Sequence, residues 1–253
     1  MAFARQACRT LPPDWTRAPP AAILAVRFAP TPPASRSPSP QMLKDHRLFF
    51  RQFVENFHTT GSLAPSSRWL AQALARYVPG EQPARKILEV GPGTGAVTRW
   101  IVPRLAAGDS FDLVELNESF VVHLRQLFEK DTHFAPARAQ TRILHQPVEQ
   151  LAPHGGYDAI VSGLPLNNFS GELVGQILGT LRGLLAPGGT LSFFEYVGVR
   201  PVKRSLAGRE ERARLTAIGH HLHGLLGAHE FHRECVLRNF PPAWVHHVRL
   251  SKS

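Results

Sequence analysis

One run of residues has the types and spacing of a ligand site: Ile87-Leu88-Glu89-Val90-Gly91-Pro92-Gly93-Thr94-Gly95. Glycines at alternate positions let backbone approach a ligand closely with its amides turned outward, provided a strand ends before them and a helix begins after. Gly91, Gly93 and Ala96 also satisfy the fingerprint of dinucleotide sites, so a nicotinamide cofactor has to be weighed. Both readings need an acid for ribose hydroxyls, and Glu115 stands 20 residues after Gly95. Glu89 separates them, because a carboxylate beneath the turn suits a cationic ligand and repels a pyrophosphate. Chain length is a second discriminator: only about fifty residues follow the fifth predicted strand, too few for the separate substrate region of a dehydrogenase. A glycine cluster that merely makes a tight turn is the plain alternative to both.

The other chemistry-bearing residues are weaker. Among 13 histidines, His220, His221 and His223 share one predicted helix, yet no carboxylate or cysteine completes a ligand set, so no metal is assigned. Cys8 and Cys235 sit near opposite ends without metal-ligand spacing, which argues against a zinc site or a disulfide framework and fits a reducing cytoplasm.

The elements that must position the glycine turn follow from periodicity. Strands are predicted at 86–90, 111–116, 141–145, 157–162 and 190–199, with helices after Gly95, over 118–130 and over 172–185, the last ending at Pro187-Gly188-Gly189. Alternation of this kind predicts an α/β fold with a doubly wound, mostly parallel sheet covered on both faces. A long basic helix over 202–226 and two consecutive strands over 231–238 and 244–250 predict a C-terminal antiparallel hairpin at the sheet edge, for seven strands in all. Upstream, Gly61 to Pro65 is a turn, and Ser66 or Ser67 caps a helix carrying Trp69, Leu70, Ala73 and Leu74.

The chain has 253 residues with a net charge of +10, enough for one domain and basic enough to favour an anionic partner, either nucleic acid or an acidic membrane surface. No run is long and apolar enough for a membrane span, and the first apolar stretch, broken by Arg27, is a poor signal peptide. Residues 1–40 hold nine of the 22 prolines and one acid, and read as a disordered extension. Met42 stands where the ordered pattern begins, so residues 1–41 are either a dispensable extension or a misassigned start. Residues 41–60 then read as an amphipathic basic helix, with Phe50, Phe53, Val54 and Phe57 at helical spacing beside Lys44, Arg47 and Arg51. Such a stripe either packs on the domain, which spans 61–253, or lies on anionic lipid.

From Gly61 onward the chain resembles the class I S-adenosylmethionine-dependent methyltransferases: Glu89-Val90-Gly91-Pro92-Gly93-Thr94-Gly95 matches their glycine motif, Glu115 their ribose acid, and Ser162-Gly163-Leu164-Pro165 their fourth-strand motif. Within that class, Gly61-Ser62-Leu63-Ala64-Pro65-Ser66-Ser67-Arg68, Ser162-Gly163-Leu164-Pro165-Leu166 and Asn239-Phe240-Pro241-Pro242-Ala243 look like the bacterial phospholipid N-methyltransferases. The rRNA adenine dimethyltransferases have Asn-Leu-Pro-Tyr where this chain has Gly163-Leu164-Pro165-Leu166, so the amide and ring that hold a flipped base are missing, which argues against nucleic acid.

The resemblance implies a Rossmann-like methyltransferase fold and S-adenosyl-L-methionine as cofactor, held by Ser62, Glu89, Gly91, Gly93, Gly95, Glu115, Leu116 and Ser162. Many members have an acid beside the adenine after the third strand; His145-Gln146-Pro147-Val148 offers none, which leaves Gln146 or Val148 to hold the base. It further implies an aminolipid substrate, phosphatidylethanolamine or an ornithine lipid, methylated by an enzyme peripheral to the inner face of the cytoplasmic membrane. The alternatives are an RNA or small-molecule methyltransferase, or a non-catalytic lipid- or nucleic-acid-binding protein on the same fold. For an amine acceptor, Asn167, Asn168 and Glu195 are candidate hydrogen-bond acceptors or charge partners. Phe169, Phe194 and Tyr196 are candidate walls for a methylammonium, each contributing about 0.5 to 2 kcal/mol, unless they are ordinary core. No residue reads as a general base, so proximity is expected to carry most of the rate.

Overall fold

The computed structural model describes residues 67–78, 84–152, 156–197 and 208–250. The predicted extension over 1–40, the basic helix over 41–60 and Ser62 lie outside the described residues. In chain order the elements are α1 (Arg68–Leu74), β1 (Lys86–Val90), α2 (Thr98–Ile101), β2 (Ser110–Glu115), α3 (Glu118–Lys130), β3 (Thr141–His145), β4 (Tyr157–Ser162), α4 (Gly171–Leu184), β5 (Leu185–Tyr196), α5 (Arg209–His229), β6 (Glu230–Val236) and β7 (Ala243–Arg249). They build a seven-stranded sheet in the order β3-β2-β1-β4-β5-β7-β6.

Strands β1 to β5 are parallel, and their near-continuous apolar runs are explained by cover on both faces. One core layer joins α1 and α3 to Ile87, Phe111, Ala159, Val161 and Phe194. The opposite layer joins α4 and α5 to Leu88, Val90, Val114, Leu191 and Phe193. Alternate residues of each strand therefore serve opposite cores. The helices start where capping chemistry allows. Ser67, Asn117 and Ser170 accept amides of the first turns of α1, α3 and α4, satisfying donors that have no intrahelical partner.

The C-terminal strands pair antiparallel, but β7 inserts between β5 and β6 and leaves β6 at the edge. Burial explains the order: Val245 and Val248 of β7 are fully buried, whereas β6, apart from Val236 at its end, carries only exposed and half-buried residues that an edge tolerates. Several boundaries differ from expectation by one or two residues, and two differ by more. Strand β5 begins at Leu185 instead of Thr190, running extended through Pro187-Gly188-Gly189, and an irregularity in its pairing with β4 between Tyr157 and Ala159 absorbs them. Helix α5 runs on to His229, three residues past the predicted end. Cys235 in β6 is disulfide-bonded, against the expectation from its spacing, and its partner lies outside the described residues.

Candidate active site

The glycine turn leaves the carboxyl end of β1 at the middle of the sheet, beside β2 and β4. Gly91 donates its amide to Val114 of β2 at 3.0 Å, and Gly163 donates to Val90 at 2.8 Å, so the turn is laced to both neighbours. Gly91 and Gly93 have different tasks. A Cβ on Gly91 would stand 2.7 Å from the Leu164 side chain, so this glycine permits the turn to pack on the loop after β4. At Gly93, with φ of +54°, a Cβ would meet nothing within 4 Å, which is the open space a ligand needs over a backbone that only glycine adopts easily.

Two buried carboxylates flank the turn. Glu89 is wholly buried, and neither oxygen makes a hydrogen bond of good geometry, Thr98 being the polar group beside it. Desolvation raises its carboxyl to about 8, only partly offset by Thr98, with the nearby charge of Glu115 adding to the rise. A buried acid left without partners is costly, and a cationic group over the turn would satisfy it. Glu115 is also raised by burial, which three backbone amides counter: Gly93 at 3.1 Å, and Leu116 and Asn117 at 2.8 Å each.

Beside the turn lies a small cavity of about 50 Å³, open to solvent, whose lining includes Gly91, Leu116, Gln146, Val148, Leu164 and Phe169. Thus Gly91, Leu116, Gln146 and Val148 share one space, and Glu115 stands in the chain between two lining residues, Val114 and Leu116, without lining it itself. Glu149, one residue beyond the stretch read as lacking an acid, lines the same cavity. Ser162 is buried and accepts the Leu164 amide at 3.4 Å, so it shapes the loop instead of facing the cavity.

The residues considered for the acceptor divide between the sheet faces. Phe169 belongs to the core layer under α4 and α5, on the cavity side, whereas Phe194 and Tyr196 pack in the layer under α1 and α3. A single cage of all three does not form, because Phe194 and Tyr196, two apart in β5, share the sheet face opposite to the one on which Phe169 packs. Glu195 is on the cavity face, 8% exposed, with His246 Nε2 of β7 at 3.2 Å. Asn167 is 2% exposed on the turn after β4, and both atoms of its carboxamide lack partners; Asn168 beside it is half-buried.

Arg214 and His246, with Glu211 and Glu230 beside them, escaped the sequence reading. Arg214 of α5 donates to the carbonyls of Asn167, at 3.1 Å, and Phe169, fixing the loop after β4, while Glu211 pairs with its guanidinium at 2.7 Å. His246 lies between Glu195 and Glu230, whose Oε1 is 2.6 Å from Nδ1, and stacks on Phe193. Burial alone would lower the imidazole, but the two carboxylates outweigh it and raise its pKa. The available signal was parity: His246 shares its strand face with buried Val248. Among the described residues no group of three or more histidine, cysteine or acidic side chains is arranged to hold a metal, and His220, His221 and His223 are exposed.

An unsatisfied carboxylate under an open glycine turn, a second acid at the end of β2 and an adjoining largely apolar cavity fit S-adenosylmethionine, which carries a sulfonium, a ribose and an adenine. A family model described as a methyltransferase domain matches residues 88–191. The ornithine lipid N-methyltransferase of Singulisphaera acidiphila is 33% identical over 150 residues, covering 59% of this chain and 77% of that protein. Among solved structures, the O-methyltransferase TomG of Streptomyces achromogenes, in complex with S-adenosylmethionine, superposes with a TM-score of 0.53 at 14% identity, over 83% of this chain and 89% of that one. A Burkholderia thailandensis 1,6-didemethyltoxoflavin-N1-methyltransferase with bound S-adenosylhomocysteine gives 0.55 at 16% identity, over 86% and 93%. At such identities the structures attest the fold, and the lipid enzyme attests the lineage. The chain belongs to the class I S-adenosylmethionine-dependent methyltransferases, with S-adenosyl-L-methionine as its cofactor.

Proposed function

We propose that this enzyme methylates the amine of a membrane aminolipid, an ornithine lipid or phosphatidylethanolamine, from the inner face of the cytoplasmic membrane. The observation that carries the reading is the 33% identity to an ornithine lipid N-methyltransferase over 77% of that protein. The motifs Ser162-Gly163-Leu164-Pro165-Leu166 and Asn239-Phe240-Pro241-Pro242-Ala243 support it from two separate places.

The cofactor supplies an electrophilic methyl group on a positively charged sulfur, and the protein must aim a lone pair at it in line. In this reading Glu115 accepts the ribose hydroxyls, Leu116, Gln146 and Val148 contact the adenine, and Gly93 admits the remainder above Glu89, while Gly91 and Gly95 let the turn pack against Leu164 and Leu127. Ser162 supports the loop, and the family resemblance adds Ser62 to the cofactor's contacts. The buried carboxamide of Asn167, with Asn168 and Glu195, accepts N–H groups of the incoming amine and orients it. Tyr196, on the other face of β5, shapes the wall beyond. Membrane attachment falls to the basic stretch Met42 to His58. An amine that reaches the site protonated gives its proton to water before attack, and excluding water afterwards keeps the lone pair directed at the methyl carbon.

Mass spectrometry of lipid extracts decides the substrate. Expression in a host that lacks methylated aminolipids is expected to yield ornithine lipid or phosphatidylethanolamine species heavier by one, two or three methyl groups. Unchanged lipids, with labelled methyl groups found in RNA instead, would refute the proposal.

A further inference from the structure

Strand β6 is antiparallel to β7, which is antiparallel to β5, so β6 ends on the same edge of the sheet as the glycine turn. The loop that follows it, residues 237–242, therefore lies on the rim of the sheet end that carries the site. Its fixtures are specific. Asn239, 7% exposed, accepts the Ser67 amide at 3.1 Å and donates to the Pro241 carbonyl at 2.7 Å. Pro242 accepts the Val197 amide at 2.7 Å, just past the end of β5. A loop tied at both ends to the start of α1 and the exit of β5 is held in place, yet at its crest Phe240 is 85% exposed, with Leu237 beside it also exposed. Exposing a phenylalanine on a restrained loop forgoes burial that a folded chain ordinarily takes.

Beside Phe240 two cations are held together. The guanidinium groups of Arg68 and Arg238 both stand over the Trp69 ring, at 4.5 and 4.6 Å from its centroid. Neither has a carboxylate partner among the described residues. Two like charges sharing one indole repel each other, and an anion between them relieves the repulsion.

We propose that this rim, formed by Arg68, Trp69, Leu237, Arg238 and Phe240, is a lipid-contacting surface, with Phe240 entering the acyl region and the two arginines meeting phosphates. It rests on the aminolipid reading for its choice of partner, and it is distinct from the attachment assigned to Met42 to His58. A protruding aromatic flanked by unpaired cations has the composition of an interfacial anchor. Its place on the rim would turn the mouth of the site toward the head groups and keep the path from membrane to methyl donor short. The net charge of +10 gives a bilayer containing anionic lipid a long-range pull on the whole molecule. A protein or nucleic-acid partner is the competing occupant.

The test uses the full chain and vesicles of phosphatidylglycerol and phosphatidylcholine without aminolipid, so that its outcome does not depend on the methyl acceptor. Arg68→Gln with Arg238→Gln is expected to weaken vesicle partition roughly thirtyfold at low salt, and Phe240→Ser roughly tenfold at any salt. Calorimetric affinity for S-adenosylmethionine, unchanged in both, shows that the fold is intact. Phe240→Trp should add emission that brominated acyl chains quench. Intact folding with undiminished partition of both variants, or a tryptophan at 240 that brominated lipids leave unquenched, overturns the proposal, as does binding of RNA or protein but no vesicle. The aminolipid reading fails separately, if vesicles bind as described and their aminolipids remain unmethylated.

Discussion

Glu115 accepts the Gly93 amide at 3.1 Å, so the acid at the end of β2 and the open glycine of the turn after β1 are one unit. Removing that carboxylate releases the turn and, on the proposed reading, withdraws the acceptor for the ribose hydroxyls. Glu115→Ala is expected to lower affinity for S-adenosylmethionine at least a hundredfold, given about 1.5 to 3 kcal/mol for each of two hydrogen bonds to a charged acceptor. Gly93→Val, whose side chain would occupy the open space, should do the same. Calorimetry with unchanged affinity in both would remove this turn from the cofactor site.

Glu89, raised to about 8, holds its proton at neutral pH in the ligand-free protein, and a cationic ligand above it favours the ionised form. Binding of S-adenosylmethionine at pH 7 should therefore release a proton, visible as a dependence of the binding enthalpy on buffer ionisation enthalpy. The linkage has a definite sign. The folded pKa lies above the unfolded value near 4.5, so this group's stabilisation is complete below 4.5 and is lost as pH rises through about 8. Glu89→Gln should flatten that decline in apoprotein melting temperature, weaken cofactor binding and abolish the proton release.

His246 and His247 are adjacent in β7 but titrate in opposite directions, because they face opposite layers. Burial lowers His247 to about 4, Glu234 offsetting this only in part, so its contribution to stability is present above the ordinary histidine value and is lost as pH falls from 6.5 through about 4. His246, raised by Glu195 and Glu230, stabilises fully below 6.5 and loses its contribution as pH rises through its folded value. Imidazole resonances followed by NMR should move on opposite sides of the ordinary value. His246→Leu should leave Glu195 and Glu230 poorly compensated and lower the melting temperature more at pH 6 than at pH 9.

Arg214 reaches from α5 to the carbonyls of Asn167 and Phe169. With Arg214→Ala the loop after β4 loses two charge-assisted bonds. Turnover is expected to fall at least tenfold while cofactor affinity stays within twofold, and Arg214→Lys should restore part of the turnover. Equal losses in binding and turnover would mean that the arginine only supports the fold.

Much of this was legible in the sequence, for a local reason. Strands β1, β3 and β4, helix α3 and the glycine turn are written in short-range periodicity and capping residues, and the two acids follow from their offsets within one strand-turn-helix unit. What the tertiary structure alone decided is long-range pairing. That β7 lies inside β6 depends on which strand buries more apolar surface, and the division of Phe169 from Phe194 and Tyr196 depends on which face of the sheet each strand end presents. Glu195 meets His246 across 51 residues of chain, Arg214 reaches the loop after β4 across 47, and the rim joins Ser67 to Asn239 across 172. Nothing in the neighbourhood of any one of these residues specifies its partner, because contacts of that separation form only once the layers have packed and fixed which side chains share a face.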